Sequence, residues 1–307
     1  MKSHYIALGI LMVSALISLP SYASSGTVIL AKGVVTATSV GSSSRVLAKG
    51  GAIDEGDVVN TAGKSFAVIR MLDNTKLTLK PGTTIAIGKF STQEGKEEGC
   101  INLVKGGLRT VTGLIGKRRP DAFQVDTPIA SIGIRGTDFI TRICAGDECL
   151  VDEQELGFGD YSGKPKTSQS TEIAELINQQ LPEGLYGSCE TGAIVMSKCA
   201  GQSEGFRLGK CRISQQKDCA EVGLSEGAAG YTSFELVSSA DPATGDTPPA
   251  GAASLSKPPV ILPRTPLILS KDPYFQLSDM SDADLHKVKV FPKNIGTGSG
   301  QCSIYGG

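Results

Sequence analysis

Hydrophobic and polar residues alternate in short runs over most of residues 24–143, a pattern typical of half-buried strands joined by tight turns. Residues 65–80 show it most clearly, because apolar and polar positions alternate on both sides of a turn at Asp73 and Asn74. The pattern predicts an antiparallel hairpin with inward positions at Ala67, Ile69, Met71, Leu77 and Leu79.

Similar runs predict further strands at 84–87, 101–104, 108–111, 192–196, 222–224 and 231–237, and two strands around a corner within 122–143. One amphipathic helix is predicted at 171–181, ended by Pro182, and a brief helix at 279–287. The fold class is therefore all-β: a compact antiparallel sandwich or short roll-like domain with one small helical insertion and an extended C-terminal tail.

The same pattern divides the chain into segments. Residues 24–237 form one β domain, with a core at 33–143, an insertion at about 150–187 and closing strands at about 188–237. Residues 238–307 are rich in Pro and Gly, a composition typical of an extended tail.

Composition supports strands and thin cores, since the chain of 307 residues has 38 Gly, no Trp and only 5% aromatic residues. The formal net charge is -1, so no polybasic field is available to grip a phosphate backbone. Nucleic acid is not an expected partner.

The N-terminus has the order of a secretory signal: Lys2, an apolar run at 5–19, Pro20 and small residues ending at Ala23. We expect residues 1–23 to be a signal peptide and the protein to be periplasmic or secreted. The alternative is an uncleaved anchor, but the run has about 15 residues against the ~20 that a spanning helix needs. No stable membrane insertion is expected after cleavage.

Cleavage after Ala23 is directly testable, because N-terminal sequencing of the exported protein should begin at Ser24. Recovery of the intact chain from Met1 in the membrane fraction would contradict the signal-peptide assignment.

All eight cysteines lie after this segment, and an even number in an oxidising compartment indicates disulfides. Loop lengths, turns and elimination predict the pairs Cys144–Cys149, Cys189–Cys199, Cys211–Cys219 and Cys100–Cys302. The alternative is a metal site, but no His lies near the cysteines at a zinc-site spacing. We expect neither a metal nor a cofactor.

The corner at 127–137 has unusual chemistry. Pro128 cannot donate a ladder hydrogen bond, so it belongs at a strand start, a bulge or an open edge, and we expect a partner to bind at this edge. Gly133 and Gly136 flank Arg135 within an apolar strand. This arrangement predicts a buried guanidinium that clasps backbone carbonyls or a carboxylate.

Several motifs taken together resemble the FecR domain of bacterial periplasmic sensor proteins. They are residues 56–61, the hairpin 65–79 with its turn at Asp73, residues 101–107, and the string formed by Thr127, Pro128, Ala130, Gly133, Arg135, Gly136, Thr137 and Phe139. The resemblance implies a compact all-β unit in the periplasm. Because no cytoplasmic segment precedes the apolar run, the chain is most similar to exported stand-alone FecR-domain proteins.

Two classes of function follow. The first is a non-catalytic binding or sensory module that engages an envelope protein or a cell-wall glycan. We favour it because the exported part has a single His, His286, and no phosphate-binding loop or H-E-x-x-H motif. The alternative is a carbohydrate-active enzyme that uses the loop carboxylates Asp152, Glu153 and Glu155, or Glu94, Glu97 and Glu98.

Overall fold

The computed structural model describes residues 24–146, 181–199, 206–211, 219–234, 258–266, 269, 272–285 and 287–288. Within these ranges fifteen strands form one hydrogen-bonded sheet, and the helices are short. The predicted all-β class is confirmed. The helix predicted at 171–181 lies outside the described residues.

The strands are β1 (Gly26–Lys32), β2 (Val35–Thr38), β3 (Arg45–Val46), β4 (Ala52–Ile53), β5 (Val58–Thr61), β6 (Phe66–Met71), β7 (Lys76–Leu79), β8 (Thr84–Ser91), β9 (Glu98–Val111), β10 (Phe123–Asp126), β11 (Ser131–Cys144), β12 (Gly184–Cys199), β13 (Cys219–Ser225), β14 (Ala229–Ser233) and β15 (Val260–Leu262). Helix α1 spans Leu114–Arg118, α2 Pro273–Gln276 and α3 Asp282–Leu285.

The strand order is β15-β14-β12-β11-β10-β9-β7-β6-β1-β4. A second branch runs from β9 through β8, β5 and β2 to β3, and β13 pairs with β12. Strands β9 and β10 are parallel, and the other pairs are antiparallel. The long strand β9 therefore joins the two branches.

Strand β9 replaces two predicted strands with one, because the chain continues through Gly106 and Gly107 without a turn. Its first half pairs with β8 and β10, and its second half pairs with β7 and β11. Gly106 has a φ of 82°, and a Cβ there would lie 2.6 Å from the Thr83 Cα. Glycine therefore allows the sheet to bend at this point.

The bent sheet encloses one apolar core, to which both branches contribute. Val59 and Ile85 of one branch lie in the same buried cluster as Val28 and Ile69 of the other. Both branches of the sheet therefore line the same core.

The predicted hairpin at 65–80 is confirmed in its register, in which Ala67 pairs with Leu79 and Ile69 with Leu77. Asp73 is buried at its turn. One of its carboxylate oxygens accepts from the Thr75 backbone N–H at 2.8 Å, and the other from the Ile115 N–H at 3.1 Å. Asp73 therefore fixes both the turn and the start of helix α1.

Disulfides link Cys100 to Cys211 and Cys199 to Cys219, while Cys189 is free and buried. Burial raises the pKa of the Cys189 thiol to about 11. Cys144 is also disulfide-bonded, but neither Cys149 nor Cys302 is among the described residues, so the Cys144–Cys149 prediction stays untested.

Three predicted pairings are wrong: Cys189–Cys199, Cys211–Cys219 and Cys100–Cys302. The physical reason is strand register. Cys199 and Cys219 are direct cross-strand partners in β12 and β13. Residues 206–211 lie beside β9, where the Gly209 N–H donates to the Asn102 side-chain oxygen at 2.6 Å and brings Cys211 next to Cys100.

Part of the tail packs more closely than its Pro-rich composition indicated. Residues 272–285 and 287–288 lie against the outer face of the sheet, the face turned away from the main core, and bury Tyr274, Phe275, Leu277 and Leu285. The brief helix predicted at 279–287 is confirmed as α3. No helix in the described part of the chain is long and apolar enough to cross a membrane.

Asp57 is a buried carboxylate with three donors. It accepts from the Arg45 guanidinium at 2.9 Å, the Ser39 hydroxyl at 2.6 Å and the Asp54 N–H at 2.8 Å. Burial alone would raise the pKa of Asp57, but the hydrogen bonds from Arg45 and Ser39 outweigh it and lower the pKa below its ordinary value.

Asp57→Asn should therefore lower the free energy of unfolding by about 1.5–3 kcal/mol at neutral pH. Because the folded-state pKa is lowered, the stabilisation is complete above the unfolded pKa of ~4 and is lost as the pH falls through the folded value. Urea unfolding from pH 7 to pH 2 should show the difference from wild type shrinking below about pH 4. Glu94→Gln, in an exposed loop, is the control; a pH-independent difference would refute the assignment.

Candidate functional site

Four cationic side chains lie on the outer face of adjacent strands. In the sheet register Arg70 of β6 is paired with Lys76 of β7, and Thr78 of β7 with Arg109 of β9. Because side chains alternate between faces along a strand, Lys80 projects to the same side as Lys76 and Thr78. We call Arg70, Lys76, Lys80 and Arg109 the cationic face.

The segment covering this face is named the strap and comprises the described residues 272–285 and 287–288. Its residues 272–285 include four Asp and no Lys or Arg. The strap donates no strand to the sheet and contacts it through side chains and free carbonyls. An acidic segment thus lies on a basic surface.

Arg109 is the centre of the contact. It donates to the Asp138 carboxylate at 2.9 and 2.6 Å, to the Asp279 carboxylate at 2.9 and 2.6 Å, and to the Phe275 carbonyl at 2.7 Å. Burial alone would lower the pKa of Arg109, but the bonds to Asp138 and Asp279 raise it above its ordinary value. The planar guanidinium therefore joins β11 to the strap.

Lys80 and Asp272 form a buried ion pair at 3.0 Å, with side chains only 4% and 1% exposed. Asp272 also accepts from the Tyr274 N–H at 3.0 Å and so caps helix α2. A Cβ at Gly107 would lie 2.6 Å from Lys80 Cδ and 3.0 Å from Phe275 Cζ. Glycine at this position leaves room for both side chains.

The remaining two cations bind the second half of the strap. The Lys76 ammonium donates to the carbonyls of Ser278 at 2.9 Å and Met280 at 3.2 Å, and Arg70 donates to the Asp282 carboxylate. Desolvation by burial lowers the pKa of Lys76, whereas the bond to Asp282 raises the pKa of Arg70.

Aromatic packing completes the contact. The Tyr274 ring lies 5.4 Å from the Phe66 ring, and Phe275 is buried in a cluster with Ile140 and Tyr186. The cationic face is therefore bordered on two sides by apolar surface. A segment that fits it needs both carboxylates and aromatic side chains.

The predicted corner is a turn and not an open edge. The Thr127 hydroxyl accepts from the N–H groups of Ile129 at 3.1 Å and Ala130 at 3.0 Å, which closes the β10–β11 hairpin around Pro128. Strand β10 is paired on both sides, by β9 and β11. The prediction of an open sheet edge at Pro128 is wrong.

The predicted clasp at Arg135 is also wrong. Its side chain is exposed and makes no hydrogen bond or ion pair with any described residue. The β11–β12 register shifts between Arg135 and Asp138, and Gly136 has a φ of 60° at this irregularity. The irregularity places Arg135 on the surface.

The other motif residues support the strands. Phe139 is buried in the main core, and the Thr137 N–H donates to the Thr112 hydroxyl at 3.0 Å. A Cβ at Gly133 would lie 4.0 Å from the Val195 carbonyl oxygen, an ordinary contact, whereas a Cβ at Gly192, across the irregularity, would lie 2.6 Å from the Gly136 carbonyl oxygen. Thr137 and Phe139 are therefore structural.

Arg135→Ala should change the free energy of unfolding by no more than about 0.5 kcal/mol, because an exposed side chain without partners contributes little. Thermal unfolding of the variant beside wild type tests this. A marked drop in melting temperature would restore the clasp hypothesis.

Two of the three described carboxylates of the enzyme hypothesis, Glu97 and Glu98, are paired with cations. Glu97 accepts from Arg119 at 3.3 Å, and Glu98 lies 2.9 Å from the Lys89 ammonium. Asp152, Glu153 and Glu155 lie outside the described residues. No group of three or more His, Cys, Asp or Glu side chains that could hold a metal is present in the ranges described.

The sequence did not reveal the strap as a site component. The sequence signal for it has two parts. Lys76, Thr78 and Lys80 occupy alternate, outward positions of a strand, and four Asp lie within residues 272–285. Polar outward residues are equally typical of a solvated strand face, so the pattern alone could not pair these segments.

The disulfides, the sheet and the bent strand β9 together define a disulfide-bonded all-β domain of the type found in oxidising, extracytoplasmic compartments. The family model described as FecR protein matches residues 57–152, from the start of β5 to beyond β11. The FecR resemblance seen in the motifs is therefore confirmed over these residues.

Two crystal structures, at 2.50 and 1.65 Å resolution, of a candidate anti-sigma factor from Parabacteroides distasonis ATCC 8503 resemble the chain. Each has 9% sequence identity and a TM-score of 0.34, covering 68% of this chain and 61% of the other. The chain thus spans less than two thirds of these neighbours. No curated protein matches it.

Proposed function

We propose that this chain is a non-catalytic sensory or regulatory module of the FecR type, which works by binding an envelope protein. The observation that carries the proposal is the cationic face, where Arg109 and Lys76 bind both carboxylate and main-chain oxygens of a peptide segment. A sheet surface that already binds peptide has the chemistry for protein recognition.

A protein partner is favoured over a cell-wall glycan for the same reason. Glycans of neutral sugars lack the carboxylates that Arg109 and Lys80 contact in the strap. The FecR domain supports a sensory or regulatory role. The pairing of Glu97 and Glu98 with cations favours binding over acid–base catalysis at that loop.

We place the module in the periplasm or outside the cell. The disulfides Cys100–Cys211 and Cys199–Cys219 support an oxidising environment. The signal-peptide pattern of residues 1–23 points to the same compartment.

Photocrosslinking in the producing cell tests the binding role. A photoreactive amino acid at Leu72, an exposed residue two positions beyond Arg70, should give a discrete adduct with an envelope protein. The same amino acid at Val46, an exposed residue of β3 on the other branch, is the matched control and should not. Turnover of a cell-wall polysaccharide that is abolished by Glu153→Gln would contradict the proposal in favour of an enzyme.

A further inference from the structure

The strap occupies the cationic face without belonging to the sheet. Its secondary structure consists of short helices, and none of the ladder hydrogen bonds of β6, β7 or β9 involves it. Its departure would leave the strand pairing intact. The face could then accept another segment of the same chemistry.

We propose that the cationic face is a recognition surface for an acidic, aromatic peptide of a partner protein, and that the strap is its intramolecular occupant. This inference rests on the proposed binding function and names the chemistry of the partner. The partner segment replaces the strap by competing for the same cations.

The face itself dictates the ligand's charge. Arg109 is only 7% exposed, and the side chain of Lys80 only 4%. When the strap leaves, Arg109 keeps the Asp138 carboxylate of β11 but loses that of Asp279, and Lys80 loses that of Asp272. Losing a counterion destabilises a buried cation, so these two positions favour an occupant that brings carboxylates. A neutral or basic peptide does not satisfy them.

The strap shows how the carboxylates and aromatic side chains of such a peptide are spaced. Carboxylates at Asp272, Asp279 and Asp282 meet Lys80, Arg109 and Arg70, and the aromatic pair follows the first Asp. The matching pattern is Asp-x-aromatic-aromatic-x-x-x-Asp-x-x-Asp. Phe66 and Ile140 provide the apolar surface against which the two rings pack.

The outer ion pairs make exchange feasible. The side chains of Asp279 and Asp282 are 62% and 46% exposed, so solvent and a competing carboxylate can reach them. Ion pairs whose carboxylate is open to solvent contribute little each. Tethering compensates, because a segment on the same chain acts at an effective concentration of about millimolar.

The test uses the full-length protein and a fluorescein-labelled peptide of residues 272–288. The variant with Asp279→Asn and Asp282→Asn weakens the strap but leaves the cationic face intact. Fluorescence anisotropy should show that the peptide binds this variant at least tenfold more tightly than it binds wild type. Asp282→Asn alone, a milder change at a half-exposed carboxylate, should give a smaller gain of about threefold.

Two controls define the outcome. A peptide with Asn at the same two positions should bind at least tenfold more weakly, and a protein with Asp121→Asn, an exposed carboxylate away from the strap, should behave as wild type. Equal binding of the two peptides, or no gain in either strap variant, would overturn the inference. If the peptide binds as expected but no adduct with an envelope protein forms at Leu72, the result would count against the proposed function alone.

Discussion

Arg109→Ala should lower the free energy of unfolding by about 3–5 kcal/mol, the range for removing one partner of a buried charge network. The substitution leaves Asp138 and Asp279 without their guanidinium and the Phe275 carbonyl without its donor. Asp138 has a side chain only 15% exposed, so its charge is poorly solvated once unpaired. Urea denaturation followed by circular dichroism measures the loss.

Arg109→Lys is the informative companion variant. The lysine ammonium keeps the positive charge, but it lacks the planar guanidinium and cannot donate to two carboxylates and a carbonyl in the same geometry. Arg109→Lys should therefore recover less than half of the lost free energy of unfolding. Hydrogen exchange should show the strap amides losing protection in both variants. If Arg109→Ala is as stable as Arg135→Ala, the central place of Arg109 is refuted.

Removing the disulfide between Cys100 and Cys211 should cost about 2–4 kcal/mol of stability. The link closes a loop with a sequence separation of 111, and long loops lose the most unfolded-state entropy when they are closed. The double variant Cys100→Ser and Cys211→Ser should therefore unfold at lower urea concentration. Residues 206–211 should also become accessible to protease, because they keep few other contacts with β9.

Cys189→Ala is the matched control, since Cys189 is free and leaves the disulfide map unchanged. Its cost should be about 1 kcal/mol, typical of a small buried side chain. Alkylation of Cys100 or Cys211 in the unreduced wild-type protein would contradict the pairing.

The local alternation of apolar and polar residues was sufficient to predict the hairpin and the all-β class. In β6 and β7 each inward apolar residue and the turn at Asp73 agree, so local and tertiary preferences coincide. At β9 they conflict, because Gly106 and Gly107 have the composition of a turn but lie within a continuous strand. The positive φ of Gly106 and the close approach of Thr83 explain the glycine there.

The missed disulfides and the missed role of Arg109 share one cause, which is that the correct partners are distant in sequence. Cys199 and Cys219 meet because of the β12–β13 register, and Arg109 meets Asp279 across 170 positions. Neither contact leaves a local periodic signal. The flanking glycines make Arg135 conspicuous in the sequence, whereas Arg109 alternates with apolar residues like any solvent-facing strand position.

The role of the tail was hidden as well, because its contacts are with residues far away in the sequence. Pro-rich composition over 238–307 is an average, and it concealed the compact run of aromatic and acidic residues at 272–285. Those residues fold because the sheet offers them a complementary surface, not because of their own helix propensity.

The central claim, that partner binding and strap docking compete for one surface, is tested most directly by locking the strap. The Thr78 and Ser278 hydroxyl oxygens are 2.6 Å apart, so Thr78→Cys with Ser278→Cys should form a disulfide across the contact. In this locked protein the Leu72 adduct with the envelope protein should be lost, while Ser278→Cys alone should retain it. An adduct of undiminished yield in the locked protein would contradict the account.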